Sequence, residues 1–258
     1  MGANFTMSKK EKDAAMKAAK NQQISNREED HRTERIVCDF LMDAYFNKKN
    51  PHSKLITSLE MQLAGIDIEM ESRGQTYNVD VKAQASEKYI NNPTDTFVLE
   101  LDFFNENGYR RTGWFLNDEL KTDFYSFVWV LKSDVDENRR IHSKHDLEKV
   151  QIMTVHKEKL SKYIMEKLSK VDVEEIINSM RMNNETYVYL DKGIHFSYSP
   201  GLKEKPVNLV VKKWLFEKFA TAYDTVTIRC LDLSHYNVTN IKVTQDNLIT
   251  LIHPLVEI

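Results

Sequence analysis

The sequence predicts an α/β protein with a mixed central sheet flanked by helices and a C-terminal α+β extension. Three observations carry this expectation. A helical apolar stripe runs through Ile36, Val37, Phe40, Leu41, Ala44 and Tyr45. Period-two alternation follows over residues 66–84 and again over 96–104. Residues 124–131 are apolar or aromatic almost throughout, as a central strand buried on both faces requires.

Composition narrows the class. The chain has 258 residues, enough for one large domain or one domain with an appended lobe. It is 41% hydrophobic and 29% charged, a globular balance. No apolar run approaches the length of a membrane span, and no secretory signal is expected. Cys38 and Cys230 are the only cysteines, which points to a reducing compartment, read as the cytoplasm, and away from a zinc site. The net charge of −3 counts against a nucleic-acid partner. Local basic clusters can still face a phosphate backbone.

Taken in order, residues 1–24 read as a mobile basic arm, either a solvated tail or a nucleic-acid contact. Ser25 or Asn26 can cap a helix reaching about Asn47. Asp30 and Glu34 share one face of it, free to approach a site or to pair with a basic side chain. Residues 66–69 and 77–84 form two strands around an Arg73-Gly74-Gln75 turn. Residues 96–104 are expected as a further strand, with Glu100 either near the same patch or in a surface ion pair. Tyr109, Arg110, Arg111 and Trp114 combine cations with rings and are the best nucleic-acid contact in the chain, unless the tryptophan is core. His142 and His145 stand among charges without a further ligand, so no metal site is expected there. Strands are expected at 147–155, 187–190, 194–198, 206–211 and 226–231, and helices at 157–169, 173–182 and 212–223.

One stretch carries chemistry. Alternation sends Asp80, Lys82 and Gln84 to one face of a strand, and pairing with the preceding strand sets Asp67 beside Asp80. Two carboxylates on rigid backbone suit magnesium or manganese, and an ammonium beside them suits a scissile phosphate. A solvated sheet face would show the same alternation. No phosphate-binding glycine loop, nucleophile elbow or zinc helix competes with this patch. The adjacent Asp232, Ser234 and His235 do not make a convergent triad.

The order helix, Asp67, hairpin, Asp80-Val81-Lys82, with Gln84 following, resembles the PD-(D/E)xK nuclease superfamily over residues 27–131. The residue before Asp67 is Ile66, where many members carry proline. The resemblance implies a restriction-endonuclease-like or Holliday-junction-resolvase-like core over residues 25–132. Residues 133–258 would then be an α+β region packed on the core or extending it. It implies a magnesium- or manganese-dependent nuclease. Asp67, Asp80, the Val81 carbonyl and Glu34 would serve as metal ligands. Lys82 and Gln84 would join Asp67, Asp80 and Glu34 in catalysis, and Arg110, Arg111, Tyr109 and Lys82 would contact the substrate. The partners this reading admits are nucleic acid, DNA ahead of RNA, and a second copy of the chain as a homodimer; a membrane is not among them. The rival is a binding module on the same fold that does not cut.

Overall fold

The structure, a computed structural model, describes residues 32–228 and the backbone of 236–239. Two sheets and a few helices form an α/β architecture. The elements are α1 (residues 32–49), β1 (Lys54–Leu55), α2 (Leu59–Leu63), β2 (Ile68–Ser72), β3 (Gln75–Gln84), β4 (Thr96–Phe104) and β5 (Arg110–Thr112). Then follow β6 (Phe124–Ser133), β7 (Leu147–His156), α3 (Lys157–Leu168), α4 (Val173–Asn183), β8 (Tyr187–Asp191) and β9 (Ile194–Tyr198). The last are β10 (Val207–Lys212), α5 (Lys213–Phe216), β11 (Ala220–Ile228) and β12 (Tyr236–Thr239). The expected basic arm, the helix start, Asp30, Cys230 and the Asp232-Ser234-His235 cluster lie outside the described residues.

The first sheet has the order β1-β2-β3-β6-β7-β11-β12. It is mixed: β3 and β6 run parallel, and the other pairs are antiparallel. The β2–β3 hairpin turns on Arg73 and Gly74, whose φ values of 52° and 75° are both positive. Twin positive φ matches the right-handed twist of the flanking strands, and the glycine adopts it without a Cβ clash.

Parallel neighbours need a long crossover, usually helical. Here the crossover between β3 and β6 holds β4 and β5 instead. They belong to a second, antiparallel sheet of order β5-β4-β10-β9-β8. The strand expected over residues 96–104 forms, but in this second sheet rather than beside the carboxylate patch. Alternation establishes that a strand forms, not which strand it pairs with. Glu100 accordingly lies opposite Asn208 in the second sheet and does not line the cleft that holds Asp67 and Asp80. Residues 212–223 depart in the same way. Only Lys213–Phe216 is helical, and β11 then pairs with β7. The β-branched and aromatic Thr221, Tyr223, Thr225 and Thr227 favour that pleated position over a helix. Both sheets draw strands from each side of residue 132, so the C-terminal region extends the fold.

Two apolar layers hold these parts together. Val37, Phe40, Leu41 and Ala44 of α1 pack on Ile68, Val79, Val81 and Val128 of the first sheet. Between the sheets, Leu99, Leu101, Phe127, Trp129, Phe196 and Leu209 meet, with α3 and α4 contributing Ile164 and Met180. Strand β6 feeds both layers, as its continuous apolar run requires. Each such side chain, fully buried, contributes ~1.5–3 kcal/mol.

Helix α1 is not uniform. At Met42–Phe46 it widens into a π-turn, closed by the Asn47 N–H bonding the Met42 carbonyl. That turn carries Tyr45, whose hydroxyl donates to Asp224 Oδ2 at 2.6 Å, and Lys49 Nζ donates to the same oxygen at 2.6 Å. Asp224 is buried, so a charged anchor ties α1 to β11. Among the described residues no helix is long and apolar enough to cross a membrane.

Candidate active site

The β2–β3 register builds the site. Ile68 pairs with Val79, and the Asp67 N–H donates to the Val79 carbonyl at 2.9 Å. Ile68, Val79 and Val81 turn toward α1. Asp67 and Asp80 therefore share the opposite face. The Val81 N–H donates to Asp67 Oδ2 at 2.7 Å, which fixes the Asp67 carboxylate beside β3. Asp80 is 2% exposed. Lys82 Nζ, from the next position on that face, stands 2.7 Å from Asp80 Oδ1.

The second Asp80 oxygen, Oδ2, is buried with no hydrogen-bond partner among the described residues. Tyr125, directly opposite Asp80 on β6, likewise buries an unpartnered hydroxyl. A native interior rarely tolerates two such orphans side by side, so a polar group belongs there.

Glu34 and Cys38 of α1, with Asp67, Asp80 and Lys82, line one cleft of about 350 Å³. Its electrostatics show the same convergence. Burial raises the Asp80 carboxyl to about 7; Lys82 opposes this, while Asp67 and Glu34 add to it. Burial alone would lower the Lys82 ammonium, but Asp80, Glu34 and Asp67 together hold it above its ordinary value. Burial lifts the Cys38 thiol, and Asp67, Glu34 and Asp80 push it further. Four acidic or thiol groups thus feel one another, with Lys82 as the counter-charge.

Other expected site residues sit differently. Gln84 lines a neighbouring cleft of about 290 Å³, reached past Glu34, Lys82 and Trp114. Its amide is committed to the chain before β4: it accepts from the Thr94 N–H at 3.0 Å and donates to Thr94 Oγ1 at 3.1 Å and to the Thr96 carbonyl. Arg110 is bound by Glu174 at 2.8 and 3.0 Å and by Asp102, which also takes Arg181. That network joins β4, β5 and α4, so Arg110 braces the fold rather than offering its fork to a phosphate. Tyr109 is 65% exposed, and Arg111 is exposed on β5. The Val81 side chain is core.

Sequence reasoning missed two neighbours, Tyr125 and Cys38. Trp114, expected as a nucleic-acid contact unless it is core, lies under Lys82 Nζ at 5.2 Å and against Tyr125 at 5.1 Å. Tyr125 is hidden in an aromatic run and becomes visible only through the parallel register. Cys38 is one helical turn from Glu34 and shares its face, a signal that spacing alone could have supplied.

The donors suit a hard cation: carboxylate oxygens from Asp67, Asp80 and Glu34, with Asp80 Oδ2 still lacking a partner. They are not pre-assembled. Among the described residues no group of three His, Cys, Asp or Glu side chains stands ready to hold a metal, and Lys82 engages Asp80. No family model matches this chain, and neither curated proteins nor solved structures give a match.

Proposed function

We propose that the chain is a metal-dependent nuclease that hydrolyses phosphodiester bonds, in DNA ahead of RNA, on a restriction-endonuclease-like core. The observation that carries this reading is the convergence of Asp67, Asp80, Lys82 and Glu34 on one cleft. The strand order supports it too. The Asp67 strand is antiparallel to the Asp-x-Lys strand, which is parallel to a buried central strand.

Asp67 and Asp80 would hold magnesium or manganese, with Glu34 supplying further carboxylate oxygen. When bound, the ion lowers the pKa of its water and offsets phosphate charge. Lys82 keeps its proton, because Asp80, Glu34 and Asp67 stabilise the cation. As an ammonium it would face oxygen charge developing on the phosphate, or position the attacking water. The Val81 N–H orients Asp67, and Lys82 holds one Asp80 oxygen while the other stays without a partner among the described residues. Gln84 holds residues 94–96 in place at the rim.

A second reading is a nucleic-acid- or protein-binding module on this fold that does not cut. The ion pair that Lys82 makes with Asp80 favours it, because that pair offsets the Asp80 charge without a metal. Cleavage of supercoiled, linear and branched DNA, and of RNA, with magnesium or manganese separates the two. Cleavage that is lost in Lys82→Ala supports the enzyme. Tight binding indifferent to metal, with no cleavage of any substrate, supports the module.

A further inference from the structure

The parallel register of β3 and β6 sets Tyr125 directly opposite Asp80. Residues paired in a ladder point to the same side of a sheet, with strands ~4.8 Å apart. Val79 and Val81 face α1, so Asp80 faces the layer between the two sheets, where Tyr125 is packed.

Each of the two buries a polar atom that bonds nothing. Asp80 Oδ2 and the Tyr125 hydroxyl are two of seven such side-chain atoms among the described residues. The others belong to Ser53, Trp129, His156, Arg181 and Asp224, and none of these five residues pairs with another of the seven in a ladder. Asp80 and Tyr125 alone stand opposite each other. Their chemistry is complementary as well. A carboxylate oxygen only accepts, and a phenol keeps its proton at neutral pH and can donate.

The charges of the site reach this hydroxyl. Burial raises the Tyr125 pKa first, Asp80 adds to the rise, and Lys82 opposes it. Packing fixes where the hydroxyl sits. Tyr125 is fully buried, with the Trp114 ring centroid 5.1 Å away on an edge and Phe127 at 6.0 Å. Trp114 in turn lies under Lys82 Nζ. A ring locked in this way holds its polar tip still, which a positioning group must do. The aromatic layer would be served as well by phenylalanine, and a hydroxyl with no partner there carries a desolvation cost.

Tyrosine reaches further from its backbone than aspartate, and no direct hydrogen bond joins the pair. One water between them has the two polar partners that a buried water needs.

We propose that Tyr125 is a positioning residue for Asp80: its hydroxyl donates through one water to Asp80 Oδ2, and so fixes the carboxylate that Lys82 holds by the other oxygen. The inference rests on the nuclease reading for its purpose, which is to steady a metal ligand. It deepens that reading by adding a residue from the central strand β6 to the residues of β3 and α1. An oxygen has two lone pairs, so Oδ2 bonded from the layer between the sheets keeps one for a cation in the cleft. Outer partners of this kind orient a ligand and raise the affinity of its site.

Two measurements on the full chain test this. The first is a double-mutant cycle in urea without divalent metal, with wild type, Tyr125→Phe, Asp80→Ala and the double variant. Tyr125→Phe keeps the ring and its packing. It should raise the unfolding constant ~5-fold or more when Asp80 is present, and change it less than ~2-fold in the Asp80→Ala background. The loss of Lys82's partner is common to both Asp80→Ala proteins and cancels in the cycle. The second is a manganese titration followed by the electron paramagnetic resonance of the free ion, without nucleic acid. Tyr125→Phe should weaken manganese binding ~10-fold or more. Equal effects of Tyr125→Phe in the two backgrounds overturn the proposal, as does a more stable Tyr125→Phe protein, which an orphaned hydroxyl would give. Manganese binding that is equal in wild type and Tyr125→Phe overturns the positioning role. Coupling in the cycle, with no manganese bound by wild type, upholds the Tyr125–Asp80 link and counts against the nuclease reading instead.

Discussion

Lys82 Nζ stands 2.7 Å from Asp80 Oδ1 on the same face of β3, while Asp80 Oδ2 is buried with no partner among the described residues. The lysine therefore satisfies half of the carboxylate and leaves half for another cation. A buried ion pair is weak support for stability, since desolvation opposes attraction. Its value here is chemical, because it sets an ammonium beside a carboxylate oxygen that has no partner among the described residues.

The first prediction concerns pH. The folded Asp80 carboxyl sits at about 7 against an ordinary 3.8, with burial as the leading cause. The folded state therefore holds this proton more tightly than the unfolded chain. That contribution to stability is fully present below about pH 4 and is lost as pH rises through about 7. Without metal, urea unfolding should show stability falling between pH 5 and 8 by on the order of 2 kcal/mol. Asp80→Asn should flatten that fall. Parallel curves for wild type and variant would contradict the assignment.

The anchor under α1 gives a second. Tyr45 and Lys49 both bond Asp224 Oδ2 at 2.6 Å. Asp224→Ala strands a mostly buried ammonium and should cost ~3–5 kcal/mol. Tyr45→Phe removes one hydrogen bond and should cost ~1–3 kcal/mol, because a charged acceptor is involved. Chemical denaturation reads both. A smaller loss for Asp224→Ala than for Tyr45→Phe would show that the aspartate is not the centre of the anchor.

Gly113 yields a third. A Cβ there would meet the Glu100 backbone carbonyl oxygen at 2.3 Å and its carbon at 2.4 Å. Backbone cannot yield as a flexible side chain would. Gly113→Ala should shift β5 from β4, carry Trp114 away from Lys82 and destabilise the protein by ~2 kcal/mol or more. Tryptophan fluorescence and thermal unfolding report the two effects, and a wild-type melting point would refute the close approach.

A fourth addresses Gln84. Its amide holds Thr94 and Thr96. Gln84→Ala should cost ~1–2 kcal/mol in stability. Hydrogen exchange should rise over residues 85–95. A loss of cleavage rate with unchanged exchange would instead place Gln84 on the substrate.

Much of this was legible in the chain. The α1 stripe, the turn at Arg73-Gly74 and the alternation around Asp80 each encode a local geometry that forms, though Gln75, expected in the turn, already belongs to β3. Asp67, Asp80 and Lys82 meet because register follows from the turn and from one apolar face. Partners distant in sequence were not legible. Thr96–Phe104 alternates equally well in either sheet, and only the match with β10 assigns it to the second. Arg110 resembles a phosphate contact until Glu174, 64 residues away, is found beside it. Trp214 and Phe219 have helical spacing, yet the Thr-rich run after them is drawn to the edge of β7.

The most direct test of the candidate site compares rate with binding in one variant. Single-turnover cleavage of an oligonucleotide with manganese, and its anisotropy without metal, should be measured for wild type and Lys82→Ala. Lys82 acts as charge develops, so its removal should slow cleavage ~100-fold or more while the dissociation constant stays within about threefold. Equal cleavage rates in the two proteins, or a loss of binding that accounts for the whole loss of rate, would contradict a catalytic role for this cleft.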